Sequence, residues 1–545
     1  MVIDEIMADP SPVVGLPNVE FIELRNTSTQ TFNLNGWRIG DASGFATINT
    51  NFMLKPDSFV IVCANSAVSS LNVFGSCIGV TSFPSLDNDG DQLYIRSKEG
   101  KIIHAVNYSI DWYRNPVKSQ GGYTLEMIDS KNPCTGFNNW TASTDAKGGT
   151  PGKKNSVDGI NKDDQPPMLL SAYTTDSVTA ILVFDEPLDS AKAAAIANYS
   201  ISNSSLPLSA IAIEPFFDKV QLRFADPFII NKIYSAAVNN VTDCAGNAIG
   251  AYHTARFGRS SVAGNNDLVI NEILFNPKPD GVDYVELYNR SNAIIDLKDC
   301  YIANRSAAGV IGSLKQICID SRLLFPGDYT VITTDPLAVK TQYLAKDPNA
   351  FVAIGTMPSL TDDKGDVLIL NAQSGIIDEL AYDAHWQFAL LNNPEGVALE
   401  RIDYNKPTQD VANWHSAATS AGYGTPGYQN SQFKIDIQPS GDLRATPTIF
   451  SPDNDGLDDF LTINYQFSEP GYTCNITIFD ASGRPVRYLT RNALCGLQGY
   501  YRWDGLDDKA NRLSIGVYVI LSEVFNLQGK TKHYKQAVTL ARRLN

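Results

Sequence analysis

VIDEIMADP, from Val2 to Pro10, and NVEFIELRN, from Asn18 to Asn26, return later in the chain as VINEILFNP from Val269 and DYVELYN from Asp283. With Glu5 laid on Glu272 and Glu23 on Glu286, the later landmarks fall into line in the same order. LNGWRI from Leu34 meets LKDCYI from Leu297, and FPSLDNDGDQLYI from Phe83 meets MPSLTDDKGDVLIL from Met357. Trp112 falls on Trp386, Trp140 on Trp414, and the GTPG from Gly149 on the GTPG from Gly424. Agreement at so many spaced landmarks is the mark of a duplicated module. The chain therefore reads as two copies of one module, with other material between and after them.

Within the module, apolar and polar residues alternate in short runs such as Val2 to Ile6, Glu20 to Leu24, Phe59 to Cys63, Gln92 to Arg96 and Ile102 to Asn107. Period two is the signature of strands, and no stretch holds a helical period over three turns. The 39 Gly and 28 Pro punctuate the chain into short segments. At 545 residues it is too long for one core, and ordinary domain sizes suggest about three to four. The fold class expected is all-β, as tandem immunoglobulin-like β-sandwich domains.

A net charge of −16 argues against nucleic acid, because phosphate binding needs clustered Lys and Arg. No apolar run approaches the ~18 residues of a membrane span, so no transmembrane segment of its own is expected. Met1 abuts a strand-like run, so a leader, either a signal peptide or a lipoprotein signal, is expected to have been removed. The eight Cys include no CxxC and no His at ligand spacing, which argues against zinc. Their even number suits an oxidising compartment. Cys63 with Cys77, Cys300 with Cys318 and Cys474 with Cys495 are near enough in sequence to bridge, with buried free thiols the alternative.

The acid-Glu-Ile opening, the aromatic-Ile-Glu-Leu second strand, LNGWRI, LKPDSF from Leu54, SLDNDGDQLYI from Ser85 and the closing GTPG together resemble the lamin tail domain. That family has an immunoglobulin-like sandwich and occurs in secreted bacterial proteins as well as nuclear lamins. The resemblance implies a non-catalytic binding or packing module and names no ligand. Between the copies, VTAILVFDEPLD from Val178, ANYSIS from Ala197 and VNNVTDCAGNAI from Val238 resemble the Ig-like domains of bacterial surface-layer and adhesin proteins, with one short helix expected over 190–197. After them, IFSPDNDG from Ile449, DASGRPVR from Asp480, WDG from Trp503 and GVY from Gly516 resemble the Ig-like domain of flagellar hook-capping proteins, also used at the C-terminus of type IX secretion proteins. The domains expected are 1–157, 165–260, 267–431 and 435–545, with Lys153 to Pro167 as a linker.

The sharpest metal candidate is Asp453, Asp455, Asp458 and Asp459 around Gly456. Oxygen ligands at alternate positions about a Gly turn suit Ca²⁺, but the acid that closes an EF-hand loop is missing, and an Asx-rich turn is the simpler reading. Asp87, Asp89 and Asp91 read as a hairpin turn, since Lys364 stands beside their counterparts. Glu5, Glu20 and Glu23, matched by Glu272, Asp283 and Glu286, suggest paired carboxylates for acid–base chemistry, but on flat alternating strands they are read as lying on a solvated face or pairing with Arg. His104, His253, His385, His415 and His533 do not recur between copies, His104 lying opposite Ile377. No nucleophile motif, metalloprotease motif or phosphate loop is present. The recurring Trp112, Trp140, Trp386 and Trp414 are read as packing. Asn107, Asn139, Asn198, Asn203 and Asn475 begin N-x-S/T triplets, of consequence only in a glycosylating host.

No catalytic or cofactor-binding residue is assigned from the sequence. The function expected is that of a non-enzymatic, exported scaffold or partner-binding protein of the bacterial cell surface, associated with proteins of the outer membrane. An accessory of an exported hydrolase or nuclease and a type IX secretion cargo adhesin are the alternatives. The four domains are expected to behave as beads, cleaved by protease near 153–165 and 260–266.

Overall fold

A computed structural model describes residues 1–202, 204–434 and 442–542; Asn203 and the expected start of the last domain at Ile435 lie outside the described residues. The chain divides into two compact units, Met1–Arg259 and Ser260–Asn545. Both are built of strands with few helices, in immunoglobulin-like sandwiches.

In the first unit, a six-stranded sheet runs in the order Trp140–Ala142, Leu125–Met127, Val2–Met7, Phe21–Arg25, Phe59–Ala64, Cys77–Val80. It faces a four-stranded sheet of Ile102–Ser109, Gly90–Arg96, Arg38–Gly40 and Phe45–Thr47. Ile3, Ile22, Leu24, Ile39, Val62, Leu93 and Ile95 fill the space between them. The second unit repeats this order strand for strand: Trp414–Ser416, Leu399–Arg401, Leu268–Leu274, Tyr284–Asn289, Tyr329–Thr333, Phe351–Ala353. In both copies the last pair alone is parallel. Both copies also bulge at one place, at Asp4 and at Asn271. Bulges re-aim side chains, and these two decide the site below.

The first unit also holds a smaller sandwich, with Thr179–Phe184 and Lys219–Arg223 in one sheet and Tyr234–Val238 and Thr254–Phe257 in the other. Phe224, Phe228, Tyr234 and Phe257 meet edge-on in its core. The helix expected over 190–197 is Ser190–Ala193, capped by Asp189, followed by the single turn Ile196–Asn198. A further helix, Pro336–Gln342, has Asp335 as N-cap and Pro at its first turn; about two helical turns show too little periodicity to announce themselves. The second unit ends in a sandwich whose long strand Gly516–Asn526 alternates buried and half-buried positions along most of its length.

Three expectations need correction. The stretch 153–165 is tied down rather than free: Asn155 is buried, Asp158 pairs with Arg25 at 3.3 Å, and Thr135 donates to Asp163 at 2.9 Å. The disulfide joins Cys134 to Cys244, across 110 residues, while Cys63, Cys77, Cys300, Cys318, Cys474 and Cys495 are free thiols. The free-thiol alternative thus holds for the three near pairs, although Cys63 and Cys77 lie side by side with Sγ atoms 3.4 Å apart, while the bridge that forms joins loops distant in sequence. Asp87 to Gly90 is a turn entering a strand, and the hairpin it was taken for lies at Lys98 to Gly100.

Candidate functional site

Three adjacent strands of each six-stranded sheet place one Glu side by side. Glu5 stands opposite both Glu23 and Glu126, and Glu272 opposite both Glu286 and Glu400. All six are 0 % exposed. Alternation along the strands does aim them away from the sandwich core. That face is covered, however, so the expected solvated row is a buried one, and its partners are amides and hydroxyls rather than Arg. Glu20 and Asp283 stand at its margin, half-buried.

The cover is the GTPG segment. Thr150 N–H donates to Glu5 Oε1 at 2.6 Å, Thr150 Oγ1 to Glu126 at 2.8 Å, and Gly152 N–H to Glu23 Oε2. In the second copy Thr425 N–H donates to Glu272 Oε1 at 2.9 Å, and Gly427 N–H to Glu286 Oε2 at 2.6 Å. Each Gly has its own reason. A Cβ on Gly149 would stand 2.7 Å from Glu5 Oε1, and Gly152 and Gly427 take φ of +82° and +87°, a region L side chains avoid.

Buried carboxyls resist ionisation. Burial, with Glu126 beside it, pushes the Glu5 carboxyl up to about 8, and burial with Glu400 does the same for Glu272. Glu23 and Glu286 are held well above the usual range by burial and by their neighbours Glu5 and Glu272. Geometry agrees. Thr425 Oγ1 lies 2.9 Å from Glu272 Oε2 and 2.8 Å from Glu400 Oε1, yet a hydroxyl carries one hydrogen. One of the two carboxyls must supply the other. Each row is thus a set of buried acids under a lid made by their own chain, with Glu272 and Glu400 sharing a proton in the second copy.

The copies differ in three informative places. His104 Nδ1 accepts the Ile3 amide at 3.1 Å, and Asp378 Oδ2 accepts the Ile270 amide at 2.8 Å. His104 therefore corresponds to Asp378 and not to the expected Ile377, and the sequence agrees, since each stands eight residues before its copy's Trp112 or Trp386. Burial holds His104 neutral, at about 4, with Nε2–H directed at the Pro133 carbonyl. Where the first copy has Met127, the second has Arg401, fully buried and 3.3 Å from Asp378. Where the second has Asn271, the first has Asp4.

The remaining candidates are placed as follows. One carboxylate oxygen each of Asp453, Asp455 and Asp459 lies within 4.8 Å of the others, and Asp458 stands outside that group. Asp459 accepts Asn454 N–H at 2.6 Å and Gly456 N–H at 2.9 Å, so the acids hold the turn itself. Trp112, Trp140 and Trp414 are buried and Trp386 packs against the core. Asn139 is wholly buried and bonds the Asp129 carbonyl at 2.8 Å, as Asn413 bonds that of Asp403 at 3.0 Å. Asp163, Glu186 and Asp243 bring one oxygen each within 4.8 Å beside a cleft of about 640 Å³ lined by Trp112, Phe137 and Tyr252. Burial, then the charges of Asp163 and Asp243, raise Glu186 to about 8. The acids that sequence reading missed, Glu126 and Glu400, sit in LEMID from Leu125 and LERID from Leu399. That repeat was legible.

A search of curated proteins returns no match. Among solved structures, the N-terminal part of the bacterial S-layer protein SbsC is 14 % identical, covering 40 % of this chain and 44 % of its own, with a TM-score of 0.17. A DUF4876 family protein from Bacteroides thetaiotaomicron is 13 % identical, covering 43 % of this chain and 86 % of its own, with a TM-score of 0.18. A tetra-tandem repeat from the extending region of a large adhesion protein is 11 % identical and covers 99 % of both chains, with a TM-score of 0.13. Likenesses this slight carry no argument about role. No helix among the described residues is long and apolar enough to cross a membrane. Residues 1–109 and 261–384 both match the family described as Lamin Tail Domain, so each copy of the repeat carries that family's signature.

Proposed function

We propose that this is a non-enzymatic, exported scaffold of the bacterial cell surface, whose sandwiches present faces to proteins of the outer membrane. The observation that carries the reading is the closure of both carboxylate rows. The six acids gathered in the two rows are 0 % exposed and spend their hydrogen bonds clamping the chain to itself. General acid–base work needs a group within reach of substrate. The Cys134–Cys244 disulfide supports export, since such bonds persist in oxidising compartments. The resemblance of the last sandwich to hook-capping and type IX secretion domains favours attachment to an outer-membrane assembly over a free adhesin.

The test is crosslinking of intact cells followed by purification of the full-length chain from outer membranes. The reading expects the chain at the outer surface, with its last sandwich retained and bound to defined outer-membrane proteins. Recovery from the medium with residues after about 435 removed would favour the cargo reading. Hydrolytic activity of the purified chain would contradict both.

A further inference from the structure

We propose that the first copy of the repeat holds a hard, oxygen-preferring cation, Ca²⁺ in the first place, beneath its GTPG loop, bound by Asp4, Glu23 and Asn155. The second copy shows what this place requires. There Asn271 Nδ2 lies 2.7 Å from both Glu286 Oε1 and Asn430 Oδ1, one amide donor serving two acceptors.

The first copy keeps the two acceptors in the same orientation. Glu23 Oε2 takes the Gly152 amide as Glu286 Oε2 takes that of Gly427, which leaves Oε1 over in each. Asn155 Nδ2 donates to the carbonyls of Asp4 and Met127, both at 2.9 Å, as Asn430 Nδ2 donates to those of Asn271 and Arg401. The amide oxygen of Asn155 therefore faces residue 4. But residue 4 is Asp, and the donor is gone.

The result is a set of acceptors without a hydrogen among them. Both carboxylate oxygens of Asp4, Glu23 Oε1, Asn155 Oδ1 and Glu5 Oε2 are buried without a hydrogen-bond partner, and Asp4 is 1 % exposed. In the second copy the oxygens of Glu272, Glu286 and Asn430 all have donors. A buried unpaired acceptor forfeits the hydrogen bonds that water would give it, and a charged one loses more. Of the nearby positive groups, Arg25 is already committed to Asp57 at 2.9 Å and Asp158 at 3.3 Å. Carboxylate and amide oxygens, with no nitrogen or sulfur, suit Ca²⁺ or Mg²⁺ over softer metals.

The test uses the full chain, stripped with a chelator and then equilibrated with Ca²⁺. Wild type is compared with Asp4→Asn, which installs the amide that the second copy already folds around. Because other acidic clusters of the chain are unchanged, the difference between the two isolates this site. The expected result is one Ca²⁺ fewer per chain in Asp4→Asn, with a smaller Ca²⁺-induced rise in melting temperature. The reverse variant, Asn271→Asp, is expected to gain one Ca²⁺, and reads out the same chemistry should Asp4→Asn not fold. Equal binding of Ca²⁺ and of Mg²⁺ by wild type and Asp4→Asn would overturn the proposal. Together with an Asp4→Asn chain more stable than wild type in alkaline but not acidic buffer, it would assign the place to a proton on Asp4.

Discussion

Replacing Glu272 by Gln keeps the side chain's shape and an oxygen for the Thr425 amide, but removes one titrating group from the second carboxylate row. Glu272 rises from an ordinary 4.5 to about 8 in the folded chain, first through burial and then through Glu400. Between those values the folded state holds a proton that the unfolded state has released. The stability this proton contributes is fully present below the unfolded value and is lost as pH rises through the folded one, at about 1.4 kcal/mol per pH unit. From about pH 5.5 to pH 8, one proton amounts to about 3 kcal/mol. Gln carries its hydrogens at every pH, so Glu272→Gln should lose less stability over that window. Urea unfolding of both proteins across it, with hydrogen exchange at Thr425 and Gly427 as the local readout, measures the difference. Parallel pH profiles would refute the shared-proton account.

Thr425→Val removes the hydroxyl placed between Glu272 and Glu400, and a destabilisation of about 2 kcal/mol is expected by urea unfolding. Thr150→Val should cost less, because Thr150 Oγ1 reaches Glu126 alone among the Glu row. Gly152→Ala forces a Cβ onto a φ of +82° and against the Phe74 carbonyl, so a lower melting temperature and faster exchange at 149–152 are expected. Arg401→Met leaves the buried Asp378 without its cation, held only by Thr408 and the Ile270 and Glu379 amides, at a cost of about 3 kcal/mol. Adding Asp378→His reproduces the first copy's His104 and Met127, and a double-mutant cycle should recover most of that loss.

The duplication and the sandwich class were legible because strand period and turn residues are local properties, and each landmark from Glu5 to the second GTPG kept its order. The outward aim of Glu5 and Glu23 was legible for the same reason. What alternation cannot show is what lies over a face: the cover comes from Thr150 and Gly152, some 130 to 145 residues away in sequence. The match of His104 to Asp378 was legible too, since both stand eight residues before the paired Trp112 and Trp386, and reading Ile377 there was a miscount by one. The Cys134–Cys244 disulfide was hidden because it depends on two loops meeting across separate sandwiches of the first unit. The Asp453 cluster was read as a turn with a candidate cation, and its acids do hold that turn.

The measurement that bears most directly on the account is carbodiimide labelling of carboxyl groups in the native full-length chain, read by peptide mass spectrometry. Glu5, Glu23, Glu126, Glu272, Glu286 and Glu400 are predicted to stay unlabelled until the chain unfolds, while the exposed Asp453 and Asp455 react at once. Labelling of the six Glu at the rate of those exposed acids would mean that the rows lie open to solvent, and would contradict the account.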